Sequence, residues 1–238
     1  MIDDATPGRA LAVYGHPDDP EISAGGTLAR WADAGCEVWV VVCAQGDKGS
    51  KDATIDPAGL TGTRKEESAA AAKVLGIAGT VHLDHPDGDL ENDAQLRGEI
   101  VEQIRALKPE VVLCPDPTAM FFGDTYVNHR DHRATGFATL DAVAPASGNP
   151  HYFPEHLRAG LAVHDVANVY LSGTLEPNCW VDISTQLERK IDALFCHESQ
   201  LEDTGEWFRQ FLRDRAEAAG RDAGLAYAEG FRKLTLGA

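Results

Sequence analysis

The chain has 238 residues, 43% of them apolar and 25% charged, and a formal net charge of −17. That length and balance suit a soluble protein with a sizeable buried core. The excess of acid repels phosphate backbones and argues against sequence-independent nucleic-acid binding.

No apolar run approaches the roughly 20 residues that a bilayer-spanning helix needs. Met1-Ile2-Asp3-Asp4 lacks the basic and apolar regions of a signal peptide, so a cytoplasmic protein without a membrane partner is expected. The five cysteines, at 36, 43, 114, 179 and 196, include no CxxC pair. They signal neither a disulfide framework nor a thiolate zinc site. Cys43 and Cys114 lie inside apolar runs and read as small buried hydrophobes.

In chain order, strands are expected at 11–14, 38–43, 80–83 and 111–114, with helices at 27–34, 63–75 and 94–107 between them. Short β-branched runs separated by helices of this length imply βαβ units and a mostly parallel sheet. Thr63 and Glu66 have capping-box spacing, Gly76 suits the residue past that helix, and Pro109 ends the next one. The stretch 45–62 is polar, glycine-bearing and long for a connection, which marks it as functional.

Beyond residue 140 the pattern is less regular. A loop is expected at 148–158, short strands at 166–171 and 180–183, and helices at 186–195 and 207–219. Trp207, Phe208 and Phe211 read as the core face of the last helix. No linker divides the chain, so one α/β domain with a C-terminal elaboration is expected.

The chemistry concentrates in two clusters. His16-Pro17-Asp18-Asp19 follows the first strand, and His129-Arg130-Asp131-His132 follows the fourth. In open α/β sheets ligands bind beyond the carboxyl ends of the strands, so both clusters fall on one edge. Zinc catalysis uses about three protein ligands and an open position for water. His16 and Asp19 supply two donors from one turn, and His132 completes the set. Asp18 is then left to accept a proton, His129 to donate one or steady an oxyanion, and Asp131 to orient a ring.

A rival exists. His82-Leu83-Asp84-His85 has the same His-x-Asp-His pattern and also ends a strand, and spacing alone does not choose between the two. A nucleotide-binding module is the weaker alternative, because the first strand–helix turn carries acids rather than a GxGxxG phosphate cradle.

Gly15-His16-Pro17-Asp18-Asp19-Pro20-Glu21, followed by Gly25-Gly26-Thr27, resembles the signature of the PIG-L/LmbE-like deacetylases. These are zinc-dependent enzymes that remove N-acetyl groups from amino sugars. The resemblance continues through Arg64-Lys65-Glu66-Glu67, Asp87-Gly88, Asp116-Pro117 and the His129–His132 cluster. It then reaches Val181-Asp182-Ile183-Ser184 and His197-Glu198-Ser199-Gln200, and so covers nearly the whole chain.

It implies one domain over 1–238, a Rossmann-like three-layer sandwich. It also implies zinc on His16, Asp19 and His132, and it selects His132 over His85. Iron(II) suits the same donors. Asp18 matches the family's general base, and His129, with Asp131 beside it, the oxyanion or leaving-group histidine. Arg64 and Asp87 match sugar contacts. The implied partner is a small-molecule amino sugar, with a homo-oligomer left open.

Three departures bear on the substrate. Pro20 replaces an acidic or aliphatic residue, and Arg130 replaces a common proline. Val127 stands where some members carry an assisting tyrosine; Tyr126 is one place off, and the role is not transferred to it. Two other readings stay open: hydrolysis of a non-sugar N-acyl metabolite, and a non-catalytic sugar- or metal-binding protein of the same fold. The spare carboxylate of Asp18 argues against the second. His197 reads as a packing or capping residue.

Overall fold

The computed structural model describes residues 1–201 and 204–237. Its strands are β1 (Arg9–Tyr14), β2 (Glu37–Ala44), β3 (Gly79–His85), β4 (Val111–Pro115), β5 (Phe121–Phe122), β6 (Tyr126–Val127), β7 (Asn168–Ser172), β8 (Cys179–Asp182) and β9 (Ala228–Thr235). The α-helices are α1 (Asp19–Asp33), α2 (Pro57–Leu75), α3 (Ala94–Leu107), α4 (Arg130–Asp141), α5 (Pro154–Arg158), α6 (Leu187–Leu194), α7 (Glu198–Leu201) and α8 (Gly205–Ala223). A π-helical turn, Ala142–Ser147, extends α4.

Seven strands form one sheet in the order β3-β2-β1-β4-β7-β9-β8, and β5 and β6 make a separate hairpin. β1 pairs in parallel with β2 from Arg9↔Glu37 to Tyr14↔Val42, and with β4 from Ala10↔Val111 to Ala12↔Leu113. β9 runs antiparallel to both neighbours. The expected Rossmann-like α/β sandwich is therefore present, and strand order reverses between β1 and β4. The segments leaving those two strands open onto the crevice where such sheets bind ligands.

Buried parallel strands need apolar side chains on both faces, and β1 has them. Ala10, Ala12 and Tyr14 pack with Leu28, Trp31 and Ile191 on one side of the sheet. Leu11 and Val13 pack with Ile100 and Ile104 on the other. Cys43 and Cys114 are fully buried and free, as expected of small hydrophobes.

Several boundaries differ from expectation for identifiable reasons. α1 starts at Asp19, eight residues before the expected 27, so Gly25 and Gly26 lie inside the helix. They serve packing rather than a turn: a Cβ on Gly26 would lie 2.7 Å from Ile183 Cγ2. α2 starts at Pro57, with Asp56 Oδ2 accepting the Gly59 N–H at 2.9 Å, so Thr63 is not its cap. Proline at the first helical position and an aspartate before it form the stronger start signal.

α4 and β9 lack sequence-based counterparts, and the expected loop 148–158 contains α5. Phe208 packs partly against the core, but Trp207 is 64% and Phe211 47% exposed, so the expected three-residue core face is wrong. Leu212, Ala216 and Gly220 are the buried line of α8.

Candidate metal and substrate site

The turn between β1 and α1 places its two aspartates differently. Asp19, the first residue of α1, is buried, and its Oδ2 accepts the His16 backbone N–H at 2.8 Å. Across the switch point, α4 begins at the end of the hairpin and brings His132 in from its first turn. Gly136 permits that approach, since a Cβ there would lie 2.4 Å from the Pro115 carbonyl oxygen of β4.

Three donors consequently converge. His132 Nε2 lies 3.1 Å from Asp19 Oδ1, and His16 Nδ1 lies 3.2 Å from His132 Nε2 and 3.4 Å from Asp19 Oδ2. Donors about 2.0–2.1 Å from a tetrahedral zinc stand roughly 3.3 Å from one another. The separations of His16, Asp19 and His132, 3.1, 3.2 and 3.4 Å, are of that size.

The surrounding hydrogen bonds aim the lone pairs at that centre. Asn128 Nδ2 donates to the Ala119 carbonyl at 2.8 Å, which turns Asn128 Oδ1 toward His132 Nδ1 at 3.0 Å. His132 Nδ1 therefore carries the donated proton and Nε2 is the free donor atom. The far nitrogen of His16, Nε2, faces Asp87 Oδ1 at 3.2 Å and Asp131 Oδ2 at 3.4 Å. Carboxylates so placed fix the orientation of the His16 ring and raise the basicity of its other nitrogen.

Two other groupings of acids and imidazoles lie close together, His16/His129/His132 and His16/Asp87/Asp131. The second is occupied in hydrogen bonding. Asp131 accepts from Gly88 N at 2.6 Å and Leu90 N at 3.3 Å, besides facing His16. Asp131 was expected to orient a ring, and the ring it faces is that of His16.

Electrostatics agree with a cation site. Burial alone lowers the His16 imidazole, but the carboxylates of Asp131, Asp19 and Asp87 outweigh it and push it up to about 12. Burial likewise works against a charged His132, and Asp19 raises it. Burial raises Asp19, yet the two imidazoles hold it well below the usual carboxylate range. A cluster that binds protons this strongly also attracts a metal, and the two compete.

His129 caps α4, with its Nδ1 accepting the Asp131 N–H at 3.2 Å, so Nε2 carries the proton of the neutral ring. Burial and the positive charge of His16 lower its pKa. It is exposed, with its ring centroid 4.8 Å from that of His16. Asp18 is paired outside the donor set: its Oδ1 accepts from Arg64 Nη2 at 2.8 Å, and Oδ2 has no hydrogen-bond partner among the described residues. Arg64 is buried within α2, and its Nη1 donates to the Gly46 carbonyl at 3.1 Å. Asp87 is held between His16 and the Asp47 side chain, which accepts its N–H at 2.9 Å. Lys48 Nζ donates to the Asp87 carbonyl, so the polar loop before α2 buttresses the site through Gly46, Asp47 and Lys48.

The rival cluster is elsewhere. His85 Nε2 lies 2.5 Å from Glu99 Oε2, and Asp84 pairs with Lys65 at 2.6 Å. Neither approaches the donor set.

A cavity of about 860 Å³ opens from Asp19, Asn128 and His132. The hairpin contributes Phe122 and Tyr126 to its wall, and α8 contributes Phe208, Phe211 and Arg215.

Residues 11–143 match the family model described as PIG-L, GlcNAc-PI de-N-acetylase. The chain belongs to the PIG-L family. Among PIG-L relatives, the diacetylchitobiose deacetylase of Thermococcus kodakarensis is 37% identical over 94% of this chain and 82% of its own length. The mycothiol S-conjugate amidase of Streptomyces coelicolor is 26% identical over 84% of this chain and 85% of its own. The solved N,N'-diacetylchitobiose deacetylase of Pyrococcus horikoshii superimposes with a TM-score of 0.89 at 32% identity, covering 96% of this chain and 84% of that one.

Sequence reasoning assigns no site role to three buried polar residues that the structure places near the turn: Asn128, Glu21 and His197. Asn128 is an ordinary turn residue in sequence, and only its position four residues before His132 hints at a role. Glu21 lies in the motif with no role assigned to it, and His197 reads from sequence as a packing or capping residue. Both are buried, and Glu21 Oε2 lies 3.3 Å from His197 Nε2 behind the metal turn. Burial raises Glu21 above the usual carboxylate range.

Proposed function

We propose that the chain is a metal-dependent hydrolase that removes an N-acetyl group from an amino-sugar derivative. His16, Asp19 and His132 would hold the metal, zinc being the first choice and iron(II) compatible with the same donors. The division of labour on one turn carries this reading: Asp19 faces the two imidazoles, while Asp18 pairs with Arg64 through one oxygen and keeps the other free. The PIG-L relatives supply the substrate class. The two core clusters flank one continuous sheet, which supports a single domain over 1–238.

A divalent cation held by His16, Asp19 and His132 would supply Lewis acidity toward an acetamido carbonyl and would lower the pKa of a water toward about 7. The protein does the rest. Arg64 pins Asp18 in one rotamer, and Asp18 Oδ2 is the acceptor for the water's proton. The His129 Nε2–H, kept on that nitrogen by the Asp131 amide, is the donor to a developing oxyanion. A lowered pKa favours this neutral donor at physiological pH. Proton return to the departing amine then restores the carboxylate of Asp18.

The deciding experiment is Asp18→Asn with metal content and acetate release measured together on N-acetylglucosaminides. Full metal occupancy with kcat reduced about 10²- to 10⁴-fold is expected. Undiminished turnover removes Asp18 as the base. Loss of metal instead moves Asp18 into the donor set.

A further inference from the structure

The cavity that opens from Asp19 and His132 is also walled by one face of α8. Phe208, Phe211, Leu212, Arg215, Ala216 and Ala219 line it at helical spacing, with Arg215 the only cation among these apolar and small residues. We infer that Arg215 forms a subsite for an anionic group, a carboxylate or phosphate, on the part of the substrate that stays with the amine. The inference rests on the deacetylase reading for the identity of the acyl end.

The argument begins with what Arg215 lacks. Arg209 and Arg213 on the same helix pair with Asp192 at 3.0 Å and Glu188 at 2.8 Å. Arg215 has no hydrogen bond or ion pair among the described residues. It is solvent-accessible and lines the cavity, yet the surrounding protein depresses its guanidinium below the usual arginine range. A guanidinium that faces the cavity with all its donors free of protein partners is matched by a bidentate anion.

The other charges on the cavity do not fill that role. Glu229 Oε1 accepts from Gly26 N at 3.0 Å and from Lys190 Nζ at 2.5 Å, while Oε2 accepts from Thr27 N at 2.8 Å. Glu229 and Lys190 therefore neutralise one another within the wall. Asp222 is seven residues along α8, about 10 Å of helical rise away, and forms no ion pair with Arg215 within 4.0 Å. Asp19 belongs to the metal donors. Near 860 Å³ the cavity is at the upper end of the range that holds drug-sized ligands, so a lone acetylated monosaccharide leaves it unfilled.

The test compares three N-acetylglucosaminides on the metal-loaded enzyme: the 3-hydroxypropanoate glycoside, its methyl ester and the 2-hydroxyethyl phosphate glycoside. Acetate release is followed with kcat and KM separated. The wild type should favour at least one anionic glycoside over the ester by roughly ten- to hundredfold in kcat/KM, mostly through KM. Which anion wins tells carboxylate from phosphate. Arg215→Gln should bring the ratio toward one, Arg215→Lys should keep part of it, and Arg209→Gln should leave it intact. Equal kcat/KM for all three in the wild type, or a preference that survives Arg215→Gln, overturns the subsite.

Calorimetric titration of the two anionic glycosides into wild type and Arg215→Gln reads the subsite without turnover. Silence in acetate release with Arg215-dependent binding retains the subsite and fails only the deacetylase reading. Binding that ignores Arg215 fails the subsite.

Discussion

The two ring nitrogens of His16 face different chemistries, and that asymmetry organises the site. Nδ1 turns to Asp19 and His132, whereas Nε2 turns to Asp87 and Asp131. The sequence nominated His16, Asp19 and His132 because donor type and chain position are both visible in one dimension. It did not show which aspartate serves which ring. Asn128 escaped notice altogether, because its contribution is a single hydrogen bond to His132 whose direction is set by the Ala119 carbonyl. Asn128→Ala should therefore weaken metal affinity by about 10- to 100-fold, read by competition with a chelator, while His85→Ala should leave it unchanged. The opposite pattern would return the third donor to the cluster at the end of β3.

Among the elements, α1 shows how packing overrides local signals. Gly25-Gly26 looks like a helix entry, yet the helix runs through it because contact with Ile183 requires the missing side chain. α3 supplies a contrasting case, in which its span matched but its main tertiary role was hidden. Arg105 is fully buried and donates to five carbonyls, those of Ala146, Ser147, Asn149, Tyr152 and Phe153. It thereby ties α3 to the irregular segment between α4 and α5. Burial lowers its guanidinium below the ordinary range, and no carboxylate forms an ion pair with it among the described residues. Arg105→Met should destabilise the fold by about 3–5 kcal/mol, since buried acceptors lose their donor. Urea unfolding measures this, and a loss under 1 kcal/mol would mean that water replaces the guanidinium.

For the molecule as a whole, the chain's beginning and end are joined across the sheet. Ile2 bridges to Trp180, and Asp3 Oδ2 accepts from Tyr170 Oη and Lys233 Nζ, each at 2.5 Å. Burial raises the Asp3 carboxyl, but the hydrogen bonds from Lys233, Tyr170 and the Ala5 N–H outweigh it and bring it down to about 2. A depressed folded-state pKa stabilises above the unfolded value near 4, and that contribution disappears as pH falls through about 2. Asp3→Asn should therefore cost on the order of 1–2 kcal/mol at pH 7 after allowance for solvent screening. The gap from wild type should close as pH falls from 4 toward 2. Urea midpoints across that range test it, and a gap independent of pH would assign the loss to packing.

Composition, βαβ alternation and the two histidine–aspartate clusters were enough to predict an α/β sheet with a hydrolytic metal site at one edge. Those features are legible because periodicity and donor chemistry are properties of neighbouring residues. The place of β9 was not legible. Ala228, Glu229, Gly230 and Lys233 are poor strand formers alone, and the strand exists because β7 and β8 present open edges on either side. The orientation of Asp18 and Asp131, the amide that aims His132 and the unpaired guanidinium of Arg215 were likewise decided in three dimensions. Each depends on which groups from distant parts of the chain share a desolvated space, and that proximity is created only when the sheet closes between β1 and β4.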